Sequence, residues 1–414
     1  MSFNSAILSD THILTAFGIF TASYFVFALG KFPGLKIDRP GAAIIGAVAM
    51  VACRIMSAQE ALTFINFPTI VLLFSMMLIV GYLHLGGFFD WVAGHVVLRI
   101  RKHHLLPAVI LTSGILSAFL VNDIVCLVMT PFVLKLTRRL GLNPVPYLLA
   151  TATASNIGSV ATITGNPQNM LIGSLSGISY VRFLVRLGPI ALGGLGINWL
   201  LVHWMYFRRP PEPRAPESGG KYEPENTCCT PKPVLVLVLV LTGFLIGVPA
   251  AIAAAVGAAL LLITRSVDPR RVYDEVDWGL LVFFIGLFII MGGIERAGLS
   301  SMLLRLFIAW KLQRLWLFSA LTAVLSNIVS NVPATVLLKS LMPGFPDPQT
   351  GWLALAMAST LAGNLTITGS VANIIVVERA SPEAHIGFRD YFRLGLPLTF
   401  LTMGLGILWL TYVP

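Results

Sequence analysis

Apolar residues dominate stretches that are too long for an ordinary soluble core, at 13–30, 69–80, 233–247, 280–291 and 396–410. A helix needs roughly 20 apolar residues to cross the hydrocarbon core, and about ten such stretches can be placed along this chain. The pattern predicts an all-α integral membrane protein of about ten transmembrane helices. One segment breaks the pattern. Residues 154–173 read ASNIGSVATITGNPQNMLIG, with three Asn, a Gln, a Pro and three Gly between apolar flanks. Backbone without helical hydrogen bonds is tolerated at membrane depth only where it is buried in protein or lines a watery cavity. A helix broken near its middle is therefore expected there.

A polar stretch at 208–233, RRPPEPRAPESGGKYEPENTCCTPKP, divides the chain nearly in half. The halves resemble each other. TITG occurs at 162–165 and again at 366–369, and an Asn follows each by four positions, Asn169 and Asn373. Asn156 and Asn364 precede the two copies. Asn122–Asp123 and Ser330–Asn331 each lie 34 residues before those Asn, within SAFLVNDIVCLVMTP and LSNIVSNVPATVLLK. Each half closes on a similar phrase, RLGP or RLGLP.

Basic residues orient the halves, because Lys and Arg favour the cytoplasmic side. Arg99, Arg101 and Lys102 precede the first polar tip, and Lys135, Arg138 and Arg139 follow it. Residues 105–139 should thus enter and leave on one side as a re-entrant hairpin. The expectation is two inverted repeats of five spans, 1–207 and 234–414, joined by a cytoplasmic linker at 208–233. Each repeat carries a hairpin (105–139 and 314–342) and a broken helix (146–179 and 352–380). The protein would sit in the inner (cytoplasmic) membrane with both termini outside. Arg305, Lys311 and Arg314 fall on the outer side, where an amphipathic interfacial helix over 298–311 would hold them.

Composition narrows the chemistry. Charged residues make up 11% of the 414, against about 25% in soluble domains. The net charge of +10 reports topology and does not imply nucleic acid. The four Cys show no metal spacing, and Cys53 and Cys126 read as inert core residues. No GxxxxGK[ST] phosphate loop occurs, so this chain does not itself use ATP, and no cofactor is expected. A separate cytoplasmic ATPase subunit and an oligomeric state are both compatible with it. Ser and Thr in the polar motifs have no His partner, which argues against a membrane-embedded enzyme.

Broken helices in matching positions of two repeats point to a transporter's midplane binding site. Asp123 is the carboxylate placed well inside the membrane. Desolvation disfavours its charged form, so it is the candidate proton-coupling group. The candidate solute ligands are Asn122, Asp123, Asn156, Thr162, Thr164, Asn169, Ser330, Asn331, Asn364, Thr366, Thr368 and Asn373. No Lys or Arg falls within the polar motifs, and a multiply charged anion would often meet an Arg clamp. The inventory suits a neutral, hydroxyl-rich solute or a small cation.

At VNDIVCLVMTP and SNVPATVL the chain resembles the ion transporter superfamily, and within it the ArsB/NhaD group. That resemblance covers nearly the whole chain. It implies secondary active transport through inverted repeats with two re-entrant hairpins. It further implies extrusion of arsenite or antimonite, in exchange for protons. TGNPQNMLIG departs from the ArsB phrase and is nearer to anion permeases and sodium/proton exchangers. A sodium/proton exchanger or an inorganic or organic anion transporter is therefore the alternative.

Overall fold

The computed structural model describes residues 10–30, 37–92, 104–207, 230–264, 267–381 and 383–413, and all regular elements among them are helical. The linker residues 208–229, with Cys228 and Cys229, lie outside the described residues, as do Lys31, Lys36, Arg99, Arg101, Lys102 and Arg265. The first half contains α1 (Asp10–Leu29), α2 (Arg39–Ala52), α3 (Ala58–Phe64), α4 (Phe67–Leu85), α5 (Leu105–Phe119), α6 (Asn122–Leu140), α7 (Pro144–Ser159), α8 (Pro167–Ser176) and α9 (Tyr180–Tyr206). The second contains α10 (Pro231–Leu245), α11 (Ala250–Thr264), α12 (Pro269–Asp274), α13 (Trp278–Arg296), α14 (Leu299–Ala309), α15 (Leu315–Val329), α16 (Asn331–Leu338), α17 (Pro348–Leu361), α18 (Val371–Ala380) and α19 (Phe388–Tyr412).

Many helix starts share one device. An Asn or Asp accepts a hydrogen bond from the first turn, and a Pro follows within two residues, where no amide hydrogen is required. Asp38, Asn66, Asn143, Asn166, Asp268 and Asp347 all act this way. The device lets a short helix start abruptly inside an apolar environment. It opens the full-length helix α4 as well as the half-helices α7, α8 and α17. Among the described residues five helices are long and apolar enough to cross a membrane: Thr11–Leu29, Phe67–Leu85, Tyr180–Tyr206, Trp278–Arg296 and Phe388–Tyr412. The remaining apolar helices are shorter.

The halves exchange equivalent contacts. Helix α2 packs on α13, and its counterpart α11 packs on α4. Likewise α6 packs on α18, while α16 packs on α8. A pseudo-twofold relation produces such reciprocity. Helices α2 and α13 approach closely, since a Cβ on Gly286 would meet the Ala43 carbonyl at 2.6 Å. Gly279 neighbours Pro40 and Gly293 neighbours Met50, so the two helices run parallel.

Ion pairs mark the two ends of the bundle. One end holds His84–Glu275 (3.1 Å), Arg138–Glu383 (2.5 Å) and the bond from Thr230 N to Gly86 O (3.0 Å). The other holds Arg296–Glu60 (2.7 Å) and Lys339–Glu295 (3.0 Å). Arg39, Arg270 and Arg271, at the starts of α2 and α12, belong to the first end, which we call the basic end. Cys126 is buried, but Cys53 closes α2 at an exposed C-cap and is not a core residue.

Candidate functional site

The two TITG turns have nearly the same backbone. Thr162 has φ −135° and ψ 164°, and Thr366 has φ −137° and ψ 163°. Each turn separates two half-helices, α7 from α8 and α17 from α18. The broken ends leave carbonyls without helical partners. Asn169 Nδ2 donates to the carbonyls of Ser159 (3.0 Å) and Thr162 (2.9 Å). Asn373 Nδ2 donates to those of Gly363 (2.7 Å) and Thr366 (3.0 Å). The Asn four residues after each TITG thus staples its break. Thr162 donates to the Ala118 carbonyl, and Thr164 lies 3.1 Å from the Tyr180 hydroxyl. In the second half Thr366 donates to Asn327 Oδ1 (3.2 Å) and lies 3.4 Å from Thr368, which is exposed.

A second buried layer joins the halves. Asn156, 1% exposed, donates to Oδ1 of Asn364 (3.0 Å) and Asn373 (2.9 Å). Its own Oδ1 accepts from Ser370 Oγ (3.0 Å) and Asn122 Nδ2 (3.2 Å). Across the pseudo-twofold, Asn166 Nδ2 donates to Thr360 Oγ1 (3.2 Å). This corrects the pairing drawn from sequence. With the TITG turns superposed, Thr360 occupies the place of Asn156, and Asn364 that of Val160. Helix starts likewise pair Asn122 with Asn331, so Asp123 is matched by Val332 and not by Asn331.

In front of these layers lies a cavity of about 350 Å³. Both hairpin tips reach it, through Asn122–Asp123 and Ser330–Asn331, as do the first residues of α8 and α18. The Asp123 carboxylate faces the backbone N–H of Ala372, in the first turn of α18, where the helix dipole favours negative charge. Of the twelve predicted ligands, four line the cavity. Asn156, Asn169, Asn364 and Asn373 stand behind it with Thr162 and Thr164, and Thr366 and Thr368 flank the second turn. Asn122 is 4% exposed, and its Oδ1 has no partner; Asn331 Oδ1 is unpaired as well.

Sequence reasoning missed the other polar residues of the wall: Asp38, Arg39, Asp277, Gln168 and Ser370. Asp38 and Asp277 cap the parallel helices α2 and α13 at the basic end, so the cavity's mouth lies there. Asp277 is close enough for its charge to act on Asp123, which is therefore not a solitary carboxylate. Arg39 supplies the cation that the polar motifs lack, although its Nε already donates to the Phe27 carbonyl (3.1 Å). The available signal was the Asp preceding each helix start. Gln168 lay in plain view within the first broken segment.

The second tip is strained. Ser330 has φ +78° and ψ 160°, a region essentially reserved for glycine that costs about 1–3 kcal/mol. Its counterpart Val121 is relaxed, at φ −59° and ψ 124°. Ser330→Gly is expected to raise the melting temperature in detergent and to slow transport, because the tip is no longer held in one geometry. An unchanged or lowered melting temperature would contradict stored strain.

Two half-helix pairs meeting two hairpin tips around one charged cavity define a membrane-embedded secondary transporter. The sequence profile of the citrate transporter family matches residues 24–362, and the chain belongs to that family, within the ion transporter superfamily. A silicon efflux transporter of Oryza sativa, LSI3, is 31% identical over 95% of this chain and 96% of its own length. A Dictyostelium discoideum candidate transporter named arsB is 27% identical over 90% and 87%. Among solved structures, the Alcanivorax borkumensis YdaH transporter superposes with a TM-score of 0.60 at 15% identity, over 97% of both chains. The Neisseria gonorrhoeae efflux pump MtrF does so with a TM-score of 0.60 at 12% identity, over 98% of this chain and 95% of its own. These two likenesses establish the fold.

Proposed function

We propose that the protein exports a small neutral hydroxylated solute, arsenite or antimonite, in exchange for protons. The composition of the cavity wall carries this reading. Its charged groups are Asp38, Asp123, Asp277 and Arg39, three carboxylates against one guanidinium already engaged by a carbonyl. A trivalent carboxylate would meet net negative charge there. A neutral polyhydroxy species would meet the amides and hydroxyls of Asn122, Gln168, Ser330, Asn331 and Ser370. The relatives named for silicon efflux and for arsB agree with a hydroxylated solute.

Asp123 is the coupling group in this mechanism. When ionised, it draws the first hairpin toward the N-terminus of α18 of the opposite half, beside Ala372. Protonation weakens that attraction, and the solute site can then be exposed to the other side by alternating access. The basic end faces the cytoplasm, so this conformation is open inward and both termini lie outside.

The family profile favours a second reading, a citrate-like anion as substrate. Proteoliposomes containing a pH-sensitive dye separate the two. Arsenite added to one side should drive a proton flux, silicic acid should compete, and citrate or sodium should do neither. A proton or sodium flux evoked by citrate, with arsenite silent, would overturn the assignment.

A further inference from the structure

At the end opposite the cavity mouth, α14 leaves a groove of about 560 Å³ against α1 and the second hairpin. Every lining residue is apolar, among them Leu14, Phe17, Met302, Leu306, Trp310 and Leu337. Leu14 is 71% exposed and Trp310 68%, so the groove is open. Three exposed cations accompany it: Arg305 on α14, Lys311 just after Trp310, and Arg314 before α15. The chain has no acidic residue from 297 to 346, and the neighbouring Glu295 and Glu60 are already paired with Lys339 and Arg296. Lys311 holds a left-handed φ of +54°, a position where glycine would be relaxed. A cation occupies that position despite the backbone.

We propose that this groove binds an anionic glycerophospholipid, with one acyl chain against α1 and α14 and the phosphate on Arg305, Lys311 and Arg314. An apolar slot with exposed cations on and beside one of its helices matches both parts of such a molecule. Leu321, Leu325 and Leu337 belong to α15 and α16, so the acyl chain also braces the hairpin whose tip carries Ser330 and Asn331. The lipid thereby acts on the transport site without entering it.

The test uses the full chain in phosphatidylcholine vesicles containing brominated-chain phosphatidylglycerol or brominated-chain phosphatidylcholine. Wild type minus Trp310→Phe isolates the Trp310 fluorescence. The brominated anionic lipid should quench Trp310 at a mole fraction at least tenfold below that of the zwitterionic one. Arg305→Gln with Lys311→Gln and Arg314→Gln should abolish that preference. Lys311→Gly relaxes the backbone and should fold at least as well, yet it should lose about fivefold in preference, the scale of one surface cation. Equal quenching by both lipids would mean bulk contact only. No quenching by either would mean that another occupant, such as a second copy, covers the groove. Either result overturns the proposal.

Discussion

Everted vesicles carrying Asp123→Asn should accumulate arsenite at about one hundredth of the wild-type rate or less under an imposed proton gradient. The loss matches the lower end of what a positioned proton-transfer group contributes, about a hundredfold. Asn keeps the size of the side chain and one acceptor oxygen, so the cavity wall and the contact with Ala372 N can persist. What disappears is the charge that alternates with protonation. The variant should therefore retain solute-for-solute exchange, measured by counterflow, while losing uphill uptake and its sensitivity to uncoupler. Undiminished uptake by Asp123→Asn would move the coupling role elsewhere in the cavity, with Asp277 next in line. Loss of counterflow as well would make Asp123 a binding group and not a coupling group.

The second large effect is on assembly. A Cβ on Gly158 would sit 2.0 Å from the Gly114 carbonyl oxygen and 2.5 Å from its Cα. Those are backbone atoms of α5, so no flexible side chain can yield. Overpacking a core usually costs about 1–3 kcal/mol. A clash of one backbone against another should exceed that range, and Gly158→Ala should fail to give a monodisperse protein. Gly196, inside α9, has nothing within 4 Å of its would-be Cβ. Gly196→Ala should be neutral or stabilising by roughly 0.5–1 kcal/mol, since Ala loses less chain entropy in a helix. Thermal melts of the two variants beside wild type check this. A Gly158→Ala protein melting like wild type would mean that α5 and α7 are not in backbone contact.

Some of this was legible along the chain because it depends on local chemistry. TITG with its following Asn specifies both a turn and the staple that closes it, and the two turns share one backbone. An Asp at a polar hairpin tip could be singled out from its apolar setting alone, and it lines the cavity. Residues brought in by tertiary packing were not legible. Asp38, Arg39 and Asp277 reach the cavity only because α2 and α13 lie parallel with their starts together. As sequence they read as helix caps or topology markers. The pairing of Asn156 with Asn364 failed for a related reason. It matched residue types, whereas register is set by the TITG turn, which puts Thr360 opposite Asn156. The estimate of ten spans counted apolar runs, and among the described residues five helices have the length to cross while six other apolar helices run only 10–17 residues.

Alternating exposure of the cavity can be tested with a single cysteine at Gln168 in a protein lacking Cys53, Cys126, Cys228 and Cys229. Everted and right-side-out vesicles would be labelled with a membrane-impermeant maleimide, with and without arsenite and a proton gradient. We expect labelling from the basic, cytoplasmic face at rest and from the opposite face only when solute and gradient are both present. Simultaneous labelling from both faces, or labelling confined to one face under every condition, would contradict alternating access.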